Sequence, residues 1–464
     1  MQYISTRGSA PQLGFSDVTL EGLASDGGLY LPETWPTLDK EQIRQLRGLD
    51  YADLASEILH HFSGDDIPRD TLGRLTSTAY SSFDHSAIAP LKQLDTSLYV
   101  MELFHGPTLA FKDFALQFLG QLFNYLLSQR GETCTIIGAT SGDTGSAAIQ
   151  AVRGLSAVTL YMLHPEGKVS DVQRRQMTTV LDKNIHNLAV DGTFDDCQNL
   201  VKAMFNDKSF RACHNLSAVN SINWTRIAAQ VVYYFRAALE LGAPDQAVNF
   251  SVPTGNFGNV LAGYVAKQMG LPINKLIIGS NSNDILTRFF ESGKMEQRGV
   301  NPTLSPSMDI QISSNFERYL FELLGRDSVE ICNLMQKFAD TGQFEIDPEH
   351  MTQAQQLFAA HRLSDGETSK EISRVYRETG EVMDPHSVIG VAAARIHGDP
   401  GVPTVVLGTA HPAKFADAVE RATGVPVTLP EEVTHIMDDP ERAIKMANSL
   451  EAIQALISAD KNTN

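Results

Sequence analysis

Between about residues 95 and 290 the chain alternates short apolar runs with longer stretches in which apolar residues recur every three or four positions. The short runs predict strands at 97–103, 133–138, 158–163, 185–190, 247–252 and 275–279. The periodic stretches predict helices near 114–128, 144–153, 169–181, 194–206, 225–241 and 258–269. Strands that alternate with helices imply βαβ units, hence an α/β protein with mostly parallel, doubly wound sheets and helices on both faces. Ahead of this core (91–290), the turn-rich GLASDGGLYLP at 22–32 and the helical periodicity of 40–62 predict a small N-terminal domain over 1–90. Residues 291–400 are mainly helical and polar with a turn-rich break, NPTLSPSMD, at 301–309, and are expected to form an insertion that caps the crevice. A strand at 403–407 returns to the sheet pattern, so 401–464 is read as a C-terminal return to the core and a tail.

Four loops fall at the strand ends, where open α/β sheets bind ligands. The first, His105-Gly-Pro-Thr-Leu-Ala-Phe-Lys-Asp-Phe-Ala115, places Lys112 at a strand-to-helix turn with apolar residues on both sides. A lysine there is either a solvated side chain near a helix start or a desolvated amine suited to Schiff-base chemistry. Asp113 supplies the anion expected near a helix N-terminus, so capping does not require the lysine. In the second loop, Ala139-Thr-Ser-Gly-Asp-Thr-Gly145, hydroxyls, glycines and a helix start make either an anion site or a capped helix after a tight turn. The third, Pro253-Thr-Gly-Asn-Phe-Gly-Asn259, follows a buried strand and opens a helix, and its two glycines let backbone approach a phosphate. Neither loop carries a Walker G-K-[ST] or a G-x-G-x-x-G dinucleotide fingerprint. In the fourth, Leu407-Gly-Thr-Ala-His-Pro-Ala-Lys-Phe415, Thr409 is a helix cap or a hydroxyl that meets a heterocycle in the crevice. A phosphate cup, a reactive lysine and a hydroxyl loop on separate strand ends together describe a pyridoxal phosphate site.

Composition narrows the partners. The 464 residues exceed one core and suggest two or three domains. With 37 basic against 55 acidic residues the formal charge is −18, which argues against nucleic acid and anionic membranes as partners but leaves room for a small anion with local donors. No apolar run reaches a membrane span, and the first residues show no basic region followed by an apolar core. A cytoplasmic location is therefore expected. Cys134, Cys197, Cys213 and Cys332 lie far apart with no C-x-x-C pair, which fits unpaired thiols in a reducing compartment. His60, His61, His105, His186 and His411 lack metal-ligand spacing, so no metal is expected.

In their order and intervals, HGPTLAFKDFA, ATSGDTG, VPTGNFGN and GTAHPAKF resemble the loops of the threonine synthases, fold type II pyridoxal-phosphate enzymes of the tryptophan synthase β-like group. The resemblance extends to GLASDGGLYLP and to NSNDILTRFF at 281–290, and the helical insertion is similar to that of the longer microbial and fungal form. It implies that Lys112 is the lysine that binds the cofactor covalently and serves as catalytic base. It further implies that Gly255, Asn256, Phe257, Gly258 and Asn259 hold the cofactor phosphate, that Thr409 meets the pyridine nitrogen, and that Asp143 faces the 3'-oxygen. Thr140, Ser141 and Thr144 match the substrate carboxylate site. Asn220, Ser221 and Arg226, within NSINWTR, match contacts to the substrate phosphate, with Lys168 as a further cation. The implied reaction converts O-phospho-L-homoserine and water to L-threonine and phosphate by γ-elimination and β-hydration, the last step of threonine biosynthesis, in a monomer or homodimer. Two alternatives share Lys112 and GNFGN: a phospho-lyase or dehydratase giving 2-oxobutyrate, and a catalytically silent relative that binds pyridoxal phosphate or a metabolite.

Overall fold

The computed structural model describes residues 1–217 and 221–461. The chain builds two separate sheets. The larger runs Phe358–Arg362, Ile273–Ser280, Val248–Pro253, Thr404–Gly408, Leu98–Glu102, Leu91–Gln93, with every neighbouring pair parallel except the last. The smaller runs Ile444–Met446, Ile185–Val190, Val158–Pro165, Cys134–Ala139, Leu216–Ser217 and is parallel throughout. The expected strands and helices are present within a few residues of their predicted limits.

Parallel strands covered on both faces are apolar without alternation. Val248–Pro253 is such a strand, buried at every position. Its successive side chains point to opposite faces. Phe250 meets the ring of Tyr234, on helix Trp224–Glu240, at 4.7 Å, while the Ser251 hydroxyl donates to the Gly390 carbonyl of helix Pro385–His397 at 2.7 Å.

Helix Lys112–Arg130 joins the two lobes. Its Phe114, Phe118, Leu122 and Leu126, each four residues from the last, belong to the core of the larger lobe; Leu116, Leu119, Phe123 and Leu127 belong to that of the smaller. The helix is therefore apolar on two stripes rather than one, as a helix buried between two layers must be. Gly120 lets helix Asp143–Val152 close on it, since a β-carbon there would overlap the Ala151 carbonyl.

Two regions are more integrated than their sequence suggests. Residues 291–400 supply the edge strand Phe358–Arg362 and the covering helix Pro385–His397 as well as the short antiparallel pair Lys294–Glu296 and Gln343–Glu345. The N-terminal segment shares the core of the larger lobe: Tyr3 and Phe62 pack on Trp224 with ring centroids 5.9 and 5.8 Å away. Among the described residues, no helix is long and apolar enough to cross a membrane.

Candidate active site

The four loops meet around a cavity of about 430 Å³, within the range of small-molecule and cofactor sites. Lys112 opens helix Lys112–Arg130, and the loop before it is stapled to the Thr409 loop: Phe111 N–H donates to the Thr409 carbonyl at 2.9 Å, and His411 N–H to the Leu109 carbonyl at 3.0 Å. Asp113, expected as the helix anion, is instead fully buried and turned back on this loop. It accepts from the Thr108 amide at 2.8 Å and hydroxyl at 2.7 Å, while burial raises its carboxyl to about 6.

The Lys112 side chain is 12% exposed, and its amine lies 3.4 Å from Asp143. Burial lowers the ammonium from its ordinary value against the pull of Asp143, with Lys414 and Arg226 adding to the lowering. On Asp143 the balance is reversed. Burial pushes that carboxyl up, but Lys414 and Lys112, with hydrogen bonds from Lys414 and Gln173, outweigh it and hold the group well below the usual carboxylate range. An amine with a weakened hold on its proton beside a permanent carboxylate is suited to forming a bond to a carbonyl carbon and then moving protons.

The Gly255–Asn259 loop is aimed by an aromatic anchor. Phe257 takes a left-handed backbone conformation, φ 59°, immediately before helix Gly258–Gln268, and its ring is wholly buried against Phe316, Tyr319 and Phe358 at 5.0–5.9 Å. Packing of this kind over-determines an otherwise disfavoured conformation. Ser313 and Asn315 take the Gly255 and Asn256 carbonyls at 2.8 and 3.1 Å, and the amides of the helix's first turn have no acceptor within it. The Asn259 carbonyl oxygen Oδ1 accepts from Tyr233 and Tyr234, whereas its buried Nδ2 has no partner among the described residues. At Gly255 a β-carbon would come 3.2 Å from the Met308 Cα and the Ser307 carbonyl, tighter than an ordinary contact.

Opposite in character is Arg226, 6% exposed, with Nε and Nη1 unpartnered and no carboxylate paired to it among the described residues. Burial alone lowers it to about 10. Ser221 sits at the start of the same segment, its carbonyl accepting from Asn315 at 3.0 Å, so Asn315 ties this segment to the cup.

Lys112, Thr140, Ser141, Asp143, Thr144, Ser221, Arg226, Gly255 to Asn259 and Thr409 all line the cavity. The Thr140 hydroxyl oxygen is already occupied by the Gly142 and Gly145 amides at 3.0 and 2.9 Å. Lys168 is not brought there: it is exposed, on the turn after Val158–Pro165, and donates to the Gly192 carbonyl at 2.9 Å. Asn220 lies outside the described residues. Lys202, on helix Phe194–Asn206, faces the cavity instead, as do Ser307, Met308 and His386 from the 291–400 region. Ser307 donates to Asp143 at 3.1 Å, and its amide lies 3.3 Å from His386 Nε2. None of these was singled out from the sequence, although Asp384-Pro-His386 carries the mark of a capped helix start, as found. No group of three or more His, Cys, Asp or Glu among the described residues is placed to hold a metal ion.

The donor set fits pyridoxal phosphate. It offers an amine for the aldehyde, helix-start amides and an unpartnered amide NH₂ for a phosphate, and a hydroxyl loop for the ring. The protein is a fold type II pyridoxal-phosphate enzyme. Residues 85–350 match the family "Pyridoxal-phosphate dependent enzyme", residues 2–80 "Threonine synthase N terminus" and residues 387–457 "Threonine synthase, C-terminal". The threonine synthase of Pseudomonas aeruginosa is 50% identical over 464 residues, covering 100% of this chain and 99% of the relative. The pyridoxal-phosphate-bound threonine synthase from Brucella melitensis superposes with a TM-score of 0.98 at 53% identity, over 99% of each chain. The yeast threonine synthase gives 0.94 at 40% identity, over 100% of this chain and 99% of that one. The chain belongs to the threonine synthase family and is a pyridoxal-phosphate-dependent enzyme of threonine formation.

Proposed function

We propose that the substrate is O-phospho-L-homoserine, converted with water to L-threonine and phosphate in the cytoplasm. The observation that carries this reading is Arg226, a buried guanidinium with idle donors in the same cavity as Lys112. A buried cation without a counter-charge is costly unless a ligand supplies one, and a phosphate dianion accepts from a guanidinium in the geometry it prefers. Ser221 completes the substrate phosphate site, with Lys202 at the cavity wall in the place expected for Lys168. Cys332, an exposed thiol in no disulfide, supports a reducing compartment.

The remaining residues divide the work. Gly255 to Asn259 would hold the cofactor phosphate, Thr409 would offer its hydroxyl to the ring nitrogen, and Asp143 would stand on the side of the 3'-oxygen. Thr140, Ser141 and Thr144 orient the substrate carboxylate, which leaves the α-carbon within reach of Lys112. Pyridoxal phosphate, when bound, supplies an electron sink conjugated to that carbon. Lys112 removes the α-proton and carries protons at the β- and γ-carbons as the γ C–O bond to phosphate breaks and water's oxygen joins the β-carbon. Arg226 holds the phosphate through its departure, and a hydroxyl rather than a carboxylate at the ring nitrogen leaves proton placement mainly to the lysine.

The test is an absorbance spectrum of the purified protein followed by addition of O-phosphohomoserine, with phosphate and threonine both quantified. A visible cofactor band that shifts with substrate, and equal release of the two products, is expected. Phosphate accompanied by 2-oxobutyrate would replace this reading with a phospho-lyase, and a band without turnover with a silent relative.

A further inference from the structure

Lys414 has no exposed side-chain surface and stands on the single turn Pro412–Phe415, beyond the Thr409 loop. Its ammonium donates to the Thr108 carbonyl at 2.6 Å and lies 2.9 Å from Asp143 Oδ1. Gln173 Nε2 donates to the same oxygen at 2.7 Å, and the other oxygen faces Lys112 at 3.4 Å and Ser307 at 3.1 Å. Sealing a lysine from water is costly unless its charge is matched, and a carboxylate serving Lys414 alone would match it. Here one carboxylate stands between two ammonium groups, and the other buried carboxyl whose charge reaches Lys414, Asp113, is spent on the Thr108 amide and hydroxyl, so Asp143 is shared. The sealed lysine has a second, carbonyl partner and no path to water. Lys112 has the longer contact and opens on the cavity, where a proton can leave it.

We infer that Lys414 is a positioning residue for the cofactor lysine: holding Asp143 from behind, it denies Lys112 a full ion pair and so eases the release of the Lys112 amine to the cofactor. The inference rests on the proposal above that Lys112 is the cofactor lysine. Asp143, Lys414 and Arg226 act on Lys112, and Lys202 and His386 are further titratable groups on the cavity wall, His386 with its Nδ1 2.9 Å from Asp384. Asp113, on the lysine's own helix, is turned to Thr108. The directions agree with the geometry: after burial, Asp143 raises the Lys112 ammonium and Lys414 lowers it.

The experiment uses the cofactor-free full chain mixed rapidly with pyridoxal phosphate, the capture rate being read from absorbance across pH. Capture joins the lysine nitrogen to the aldehyde carbon and releases one water. It begins from the unprotonated amine, so the midpoint of the rate profile reports Lys112. Lys414→Met is expected to raise the midpoint by about one pH unit, slowing capture roughly tenfold near neutrality. Asp143→Asn is expected to lower it, and the double variant to return toward wild type. An unmoved midpoint in a Lys414→Met protein that melts like wild type overturns the inference. Should that variant fail to fold, Lys414→Arg must keep the wild-type midpoint, and an Asp143→Asn midpoint at or above wild type overturns it. Borohydride reduction of the holoenzyme followed by peptide mapping separates the two levels. Label on a lysine other than Lys112 removes the assignment of the cofactor lysine, whatever the midpoints show.

Discussion

Two buried arginines, Arg318 bonded to one short segment and Arg226 within it, are used in opposite ways. Arg318, 1% exposed, donates from Nε to the Tyr30 carbonyl at 2.8 Å, from Nη1 to Asn315 at 2.5 Å and from Nη2 to the Ile222 carbonyl at 2.6 Å. It thereby pins the segment that carries Ser221 and Arg226 to the N-terminal strand Tyr30–Pro32. Arg226, four residues beyond Ile222, leaves Nε and Nη1 unpartnered among the described residues. Burial lowers both, Arg318 to about 9 and Arg226 to about 10, so the shift alone does not tell structure from function. The partners do. A buried charge with matched donors is a tie, whereas one with idle donors waits for an anion.

The contrast breaks most visibly at Arg318. Arg318→Met strands two backbone carbonyls and the Asn315 Oδ1, and is expected to lower the unfolding free energy by about 3–5 kcal/mol in urea titrations. Arg226→Met should do the reverse, keeping or slightly raising stability while kcat/KM for O-phosphohomoserine falls by about 2–4 kcal/mol, or roughly 30- to 1000-fold. Equal losses of stability in the two variants would end the distinction. Inorganic phosphate sharpens it. At about 100 times its Kd, phosphate should raise the stability of the wild-type holoenzyme by about 2.7 kcal/mol, and should leave Arg226→Met unaffected. Among the cations outside the buried set, Lys202→Ala is expected to lower kcat/KM only severalfold, because an exposed charge is screened. Lys168→Ala, whose amine serves the Gly192 carbonyl, should change stability by less than about 0.5 kcal/mol and leave kcat/KM where it was.

Local patterns determined much of this protein without help. The switch between short apolar runs and 3.6-residue periodicity is written by each segment's own neighbours, so strands such as Ile185–Val190 and helices such as Phe194–Asn206 were legible to the residue. That Lys112, Gly255 to Asn259 and Thr409 stand at a crevice was legible too, because a lysine, two glycines or a hydroxyl at a strand-to-helix turn is a local signal. Long-range pairing was not. Nothing in Leu98–Glu102 and Cys134–Ala139 says that they enter different sheets, or that Thr404–Gly408, near the end of the chain, lies at the centre of the larger one; strand order depends on which surfaces remain to be covered. Lys414 and Lys168 look alike as sequence, each a lysine close to a strand end. Tertiary structure alone seals one against Asp143 and leaves the other in solvent, because burial and charge pairing depend on neighbours hundreds of residues away.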